Sequence, residues 1–206
     1  VIGQITKPFF IQPTGYVNTF AIRFYPYGFA NFIETPIKSL SDKETSLAEL
    51  FGEKVAQALE QQIVQAQDTK KRISVAEEFL LSLLNDKSTV EKIIQTTIDA
   101  LISTKGNTSI NTLLKGDLAK RRQLERKFSN QIGISPKQMA KVIRLQATLK
   151  MLLHHKSEKL SAIAYEGEYY DQAHFIRDFK DFTGTSPSAF LADESMQLSA
   201  LIYKKD

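Results

Sequence analysis

The sequence predicts a mainly α-helical protein: two helix-turn-helix units joined by a linker helix, preceded by a helical connector and a short β-rich stretch. Two observations predict it. A motif occurs twice, as Leu124–Met139 (LERKFSNQIGISPKQM) and Phe175–Phe190 (FIRDFKDFTGTSPSAF), at a constant offset of 51 residues. Leu124 pairs with Phe175, Arg126 with Arg177, Phe128 with Phe179, Gly133 with Gly184 and Pro136 with Pro187. A long-period internal match means one supersecondary unit used twice. The second observation is uneven charge. Residues 1–89 hold 9 Lys+Arg against 10 Asp+Glu, and residues 90–206 hold the other 18 of 27 against 13 of 23. Within Lys115–Lys156 the count is 11 against 2. A local basic stripe is the electrostatic footprint of a nucleic-acid binder. A basic face without a partner has the same composition, so charge does not decide alone.

Composition bounds the rest. The chain has 206 residues, enough for one to two domains with real cores. It has no cysteine, which excludes disulfides, thiolate nucleophiles and cysteine-ligated zinc, and suits a cytoplasmic protein. No apolar run is long enough to span a bilayer, so no membrane partner is expected. The opening Val1-Ile2-Gly3 has no charged-then-apolar leader, so no signal peptide is expected.

Residues 1–37 read as β-rich. Phe20, Ile22 and Phe24 alternate with Ala21, Arg23 and Tyr25, the period of a half-buried strand. Pro8, Pro13, Gly15, Pro26, Gly28 and Pro36 punctuate it with turns. Residues 38–88 read as a helical connector. Ser41 or Asp42 is placed to cap a short helix through Leu50. Val55, Leu59, Ile63 and Ala66 mark one amphipathic helix; Ile73, Ala76, Phe79, Leu80, Leu83 and Leu84 mark another. Their apolar faces read first as plain core and second as a homodimer surface. Asn85-Asp86-Lys87-Ser88 breaks the pattern and is the expected domain boundary.

Residues 89–192 form the paired-motif domain, followed by a tail at 193–206 with a last helix expected over Met196–Tyr203. Its first helix spans Val90 to Ser103, with Ile94, Ile98 and Ile102 at i, i+4 spacing, widened by Ile93 and Leu101. In each copy of the motif two apolar residues at i, i+4 share a helical face, Leu124 with Phe128 and Phe175 with Phe179. Gly133 and Gly184 stop these helices. Ser135-Pro136 and Ser186-Pro187 start the next ones, serine as cap and proline at the first helical position. A shorter helix precedes each, around Ile110, Leu113 and Leu114 in one copy and Leu160, Ile163 and Ala164 in the other, at an offset one residue smaller. Short helix, tight turn and second helix make a helix-turn-helix. The linker, Pro136 to about His155, would be a rod of about 27 Å.

The outward faces of the second helices carry the candidate chemistry. In the first copy these are Arg122, Arg126 and Ser129, flanked by Lys120, Arg121, Gln123 and Glu125. In the second they are Ala173, Arg177 and Lys180, flanked by Gln172, His174 and Ile176. Arginine and glutamine read base edges, and arginine or lysine neutralises phosphate. Arg122, Arg126, Gln172, His174 and Arg177 are the expected readers, on a shared outward face. Lys120 and Lys137 are expected phosphate contacts. Glu125 would accept from a cytosine amino group or repel phosphate; Ala173 and Ile176 would touch thymine methyls. A single charged helix face is usually just solvated, but two copies at equivalent positions weaken that reading.

Residues 109–191 resemble the C-terminal domain of the AraC/XylS-type bacterial transcription regulators. The segment Tyr169-Tyr170-Asp171-Gln172-Ala173-His174-Phe175, continued by Arg177, Phe179, Lys180, Gly184, Ser186 and Pro187, is highly specific for that family. Arg122, Leu124, Arg126, Phe128, Gly133, Ser135 and Pro136 agree in the first copy. The resemblance implies a homeodomain-like double helix-turn-helix whose recognition helices enter successive major grooves of double-stranded DNA. It also implies that residues 1–37 are the remnant of an N-terminal sensing domain whose effector is unknown, and that RNA polymerase is a partner, with no residue here assigned to that contact. Two departures concern turn geometry: Glu168 stands where the family usually has glycine, with Gly167 one place earlier, and Lys115-Gly116-Asp117-Leu118 is less apolar than usual.

Catalysis is not expected, and neither is a cofactor or metal. His154 and His155 diverge by about 100° on a helix, and His174 has no carboxylate pair beyond Asp171 and Asp178. No phosphate-cradling glycine loop or serine elbow is visible. The competing reading is a helical protein-interaction module that has lost DNA reading.

Overall fold

The computed structural model describes residues 1–8, 14–16, 18–84, 90–154 and 159–193. The expected boundary at 85–88, His155 and the tail helix at 196–203 lie outside the described residues. The chain is mainly helical, and no strand forms among the described residues. It divides into two compact units. One comprises Val1–Ile5, Phe10–Thr96 and Arg122–Ser135; the other comprises Thr6–Phe9, Thr97–Arg121 and Pro136–Asp206.

In the first of these, the amino-terminal residues lie along residues 42–45. Ile2 and Glu44 form an isolated antiparallel bridge, and Thr45 N–H donates to Val1 O at 2.8 Å. The expected strand over Phe20–Phe24 is not formed: Ile22 is exposed where its alternation with Phe20 and Phe24 required burial. An extended segment needs a neighbouring ladder for its backbone groups. Here the aromatic residues collapse locally instead, with the Phe24 ring 5.0 Å from Phe29 and 5.6 Å from Phe32.

The expected cap at Ser41 or Asp42 is also replaced. Helix α1 (Leu47–Phe51) is capped by Ser46, whose side chain accepts from Glu49 N–H while the Glu49 carboxylate accepts from Ser46 N–H. This reciprocal pair satisfies two orphan donors at once. Ser41 donates instead to Gly133 O at 2.8 Å, and Asp42 takes a left-handed φ of 57°. Helices α2 (Glu53–Gln65) and α3 (Thr69–Leu83) follow, α3 capped by Asp68. Their buried residues are Ala56, Val75 and Ala76; Val55, Ile73 and Leu84, expected on the apolar faces, are exposed. The Phe51 ring meets Phe79 edge-on at 5.2 Å.

Helix α4 (Lys92–Ser103) buries Ile94, Ile98 and Leu101 completely, leaving Ile93 and Ile102 at the edge of its stripe. It ends where Gly106, at φ 81°, donates to Leu101 O at 2.7 Å. A Cβ on Gly106 would sit 2.2 Å from Ala140 O, so glycine also permits a close backbone crossing. Helices α5 (Ile110–Leu113), α6 (Leu118–Ile132), α7 (Pro136–His154), α8 (Leu160–Glu166), α9 (Gln172–Thr183) and α10 (Pro187–Ala192) complete the described chain.

The second unit's core lies where α7, α8, α9 and α10 meet. Leu149 and Leu152 of α7 face Ile163 of α8 and Phe175 and Phe179 of α9. The rings of Phe175, Phe179 and Phe190 stack edge-on in series, at 5.8 and 5.5 Å. Burying such aromatic rings supplies much of the apolar stabilisation and fixes the rotation of α9 about its axis.

Candidate nucleic-acid interface

Helix α9 starts where Asp171 accepts from His174 N–H at 2.6 Å, and stops at Gly184, left-handed at φ 77°. Ser186 caps α10 through Ala189 N–H, with Pro187 at its first position. Ile163 and Ala164 of α8 are buried beneath the turn. In that turn Glu168 takes the left-handed conformation at φ 55°, and Tyr169 N–H reaches back to Ala164 O at 3.0 Å. Gly167 itself has an ordinary φ of −74°. It is needed for space: a Cβ there would meet Thr148 Oγ1 of α7 at 2.8 Å.

The first copy is built differently at its start. Lys115 and Gly116 are both left-handed, at φ 51° and 78°, and Gly116 N–H bonds Asn111 O at 3.0 Å. Asp117 Oδ1 then accepts from Ala119 and Lys120 N–H at 3.1 and 3.0 Å, capping α6. In the shared motif Arg121 corresponds to Gln172, the first residue of α9, but α6 begins at Leu118, three residues earlier. The reason is legible in the side chains. The position matching Asp171 is Lys120, which cannot accept a capping bond, so the cap falls to Asp117. The carboxyl of Asp117 is held below the usual aspartate range, first by the backbone N–H of Lys120 and then by that residue's side chain.

Arg122, Glu125 and Arg126 are exposed on α6, opposite buried Leu124 and Phe128. Lys120 is exposed and pairs with Asp117 at 3.2 Å; Arg121 donates to Asn111 Oδ1 at 2.9 Å. Lys137 is exposed on the first turn of α7. Gln172, Ala173, Arg177 and Lys180 are exposed on α9, opposite buried Phe175 and Phe179. Arg121 and Ser129 of α6 are half-buried, and on α9 two of the expected outward residues are placed otherwise. His174 is half-buried, its ring edge-on to Tyr169 at 5.3 Å and its Nε2 3.5 Å from Asp178 Oδ2. Ile176 is half-buried against the core. The open face of α9 is therefore narrower than its sequence suggested.

Several cations of the basic stripe are engaged within the protein. Lys127 pairs with Glu91 at 2.7 Å, Lys141 with Asp178 at 2.8 Å, and the Arg144 guanidinium lies over the Tyr169 ring at 5.3 Å. Burial pushes the Tyr169 phenol up to about 12. Asp178 was not singled out from sequence as a buried group, yet a signal was present. It sits three residues after Phe175 and beside Phe179, inside the apolar stripe. Leu118 is a second unassigned feature, 67% exposed in the extra turn of α6.

No group of three or more acidic, histidine or cysteine residues among the described residues could hold a metal ion. None of the described helices is long and apolar enough to cross a membrane.

Two short helices, each turning into a longer one whose outer face is rich in cationic and amide side chains, define the helix-turn-helix class of DNA-binding domain. Residues 119–193 match the family model of a helix-turn-helix domain, and residues 1–46 match a domain of unknown function (DUF6597). The matched helix-turn-helix domain is of the AraC type and supports DNA-binding transcription regulation as the general role of this region. No curated protein and no solved structure gives a significant match to the chain.

Proposed function

We propose that this regulator binds DNA sequence-specifically, inserting α6 and α9 into successive major grooves on one face of the duplex. The observation that carries the reading is a repeated placement. Arg126 and Arg177 occupy the same motif position, both exposed, each two residues before a phenylalanine that is fully buried. The buried ring sets which way each arginine points, and arginine is the side chain best suited to bidentate contact with guanine. Arg122 and Glu125 support Arg126 on α6; Gln172 and Ala173 support Arg177 on α9. Lys120, Arg121, Lys137 and Lys180 neutralise phosphate, while His174 and Ile176 border the contact. The 19 residues of α7 make a rod of about 28 Å, compatible with grooves about 34 Å apart.

Selection of random duplexes on the full chain, with titration of the winner at several salt concentrations, tests this. Two enriched elements about one helical turn apart, with a steep salt slope, are expected. Arg126→Ala should lower discrimination at one element by about 1–3 kcal/mol. A steep slope without any enriched motif would leave only backbone binding and overturn the sequence-specific reading. Absence of binding would favour a protein-interaction module.

A further inference from the structure

We infer that the motif position just before the buried phenylalanine, Lys127 in one copy and Asp178 in the other, anchors each reading helix and so sets base preference without touching DNA. The inference rests on the DNA-reading function proposed above. It begins from an equivalence the sequence hides. Lys127 and Asp178 are the same position of the repeat, 51 residues apart, yet carry opposite charge. Each forms an ion pair within its own unit: Lys127 Nζ with Glu91 Oε2 at 2.7 Å, and Asp178 Oδ1 with Lys141 Nζ at 2.8 Å. The polarity is reversed and the arrangement retained.

The second pair is the more telling. The Asp178 side chain is 5% exposed and lies in the apolar stripe of α9, on the side away from Arg177. Its Oδ2 is buried and has no hydrogen-bond partner among the described residues; His174 Nε2 lies 3.5 Å from it. A leucine at 178 would avoid the desolvation of that carboxylate, so stability alone does not explain it. What an ion pair adds over apolar packing is direction. Phenylalanine rings tolerate some sliding and rotation against leucines, whereas a charge-assisted hydrogen bond selects one register. Arg144, three residues beyond Lys141 on α7, adds a second hold by lying over Tyr169, whose ring meets His174. One residue of rotation turns a helical side chain by about 100°, enough to take Arg177 off a groove floor.

Lys141 and Asp178 are therefore positioning residues, and the test must separate positioning from folding. Duplex selection, salt titration and thermal melting are run on the full chain and on three variants. The double variant Lys141→Met with Asp178→Leu replaces the pair by apolar side chains of similar size, a change that commonly preserves stability. It is expected to keep its melting temperature and its salt slope, while base preference at one of the two elements falls about tenfold. Lys141→Arg should keep both elements, because a guanidinium reaches the same carboxylate. Glu91→Gln should weaken preference at the other element, and by less, since that pair is more exposed.

Unchanged preference in a stable double variant would reduce the pair to a structural ion pair and overturn the inference. A salt slope shallower by about one would make Lys141 a phosphate contact, which also overturns it. A wild-type chain that enriches no motif would sink the DNA-reading function itself. A wild-type motif untouched by the variants would sink this inference alone.

Discussion

Counted along the shared motif, α6 and α9 stop at the same residue, Ile132 in one copy and Thr183 in the other, yet α6 starts three residues before α9 does. The preceding helices differ in compensation: α5 has four residues, none fully buried, whereas α8 has seven and buries Ile163 and Ala164. A turn has moved by nearly one helical turn within an otherwise repeated unit. The repeat constrains what the core needs, the phenylalanines and the glycine stop. It leaves the turn free to settle wherever a capping carboxylate and a left-handed residue stand three or fewer positions apart. The matched helix-turn-helix model begins at residue 119, beyond the displaced turn.

The largest expected effects test whether the difference is confined to that turn. Phe128 and Phe179 are both fully buried, so Phe128→Ala and Phe179→Ala should each cost about 3–5 kcal/mol in urea denaturation. The short helices should behave unequally. Ile163→Ala should cost about 2–5 kcal/mol, whereas Ile110→Ala, at a half-exposed site, should cost well under half of that. Equal losses at Ile110 and Ile163 would show that α5 is packed as firmly as α8 and would remove the contrast.

The sequence made legible whatever core periodicity and breakers dictate. The paired helices, their glycine stops and their serine-proline starts follow from Leu124, Phe128, Gly133 and Ser135-Pro136 and their partners. Turn position was not legible, because it depends on a competition between caps that differ by single residues, Asp117 against Lys120 in one copy and Asp171 in the other. The alternation at Phe20–Phe24 misled because a period of two describes a strand only if a neighbour receives its hydrogen bonds. The cap of α1 was missed although Ser46 and Glu49 spell a capping box. At the interface, exposed Arg126 and Arg177 follow from the buried rings two residues on. The inward turn of His174 does not, since it depends on Asp178 being held by Lys141 from another helix.

Intermediate effects come from the two turn glycines, which serve opposite purposes. Gly116 is left-handed, and a Cβ added there would have nothing within 4 Å, so only its φ matters. Gly116→Ala should cost about 1 kcal/mol. Gly167 has an ordinary φ and no room, with Thr148 Oγ1 2.8 Å from any Cβ. Gly167→Ala should cost about 1–3 kcal/mol, and Thr148→Ala made alongside it should recover part of that loss. If Gly167→Ala were neutral, the approach of the second turn to α7 would be looser than that distance implies, and the two turns would differ less than their glycines suggest.

The smallest effect concerns the cap that displaced the first turn. Asp117 is solvent-exposed, and its carboxylate is favoured in the folded chain by the Lys120 and Ala119 backbone N–H groups and by the Lys120 ammonium. Because its folded pKa lies below that of an unfolded aspartate, its stabilising contribution is complete above the unfolded value and is lost as pH falls through the folded one. Acidification through that window should fray residues 118–120 of α6, seen as loss of helical carbon chemical shifts there, while Arg122 to Ile132 stay helical. A relocated cap is the sharper form of the same test. Asp117→Ala combined with Lys120→Ser puts a capping hydroxyl at the position Asp171 holds in the second copy, and α6 should then begin at residue 121, as α9 does at its counterpart. If residues 118–120 keep helical shifts in that double variant, packing rather than capping decides where the first reading helix begins.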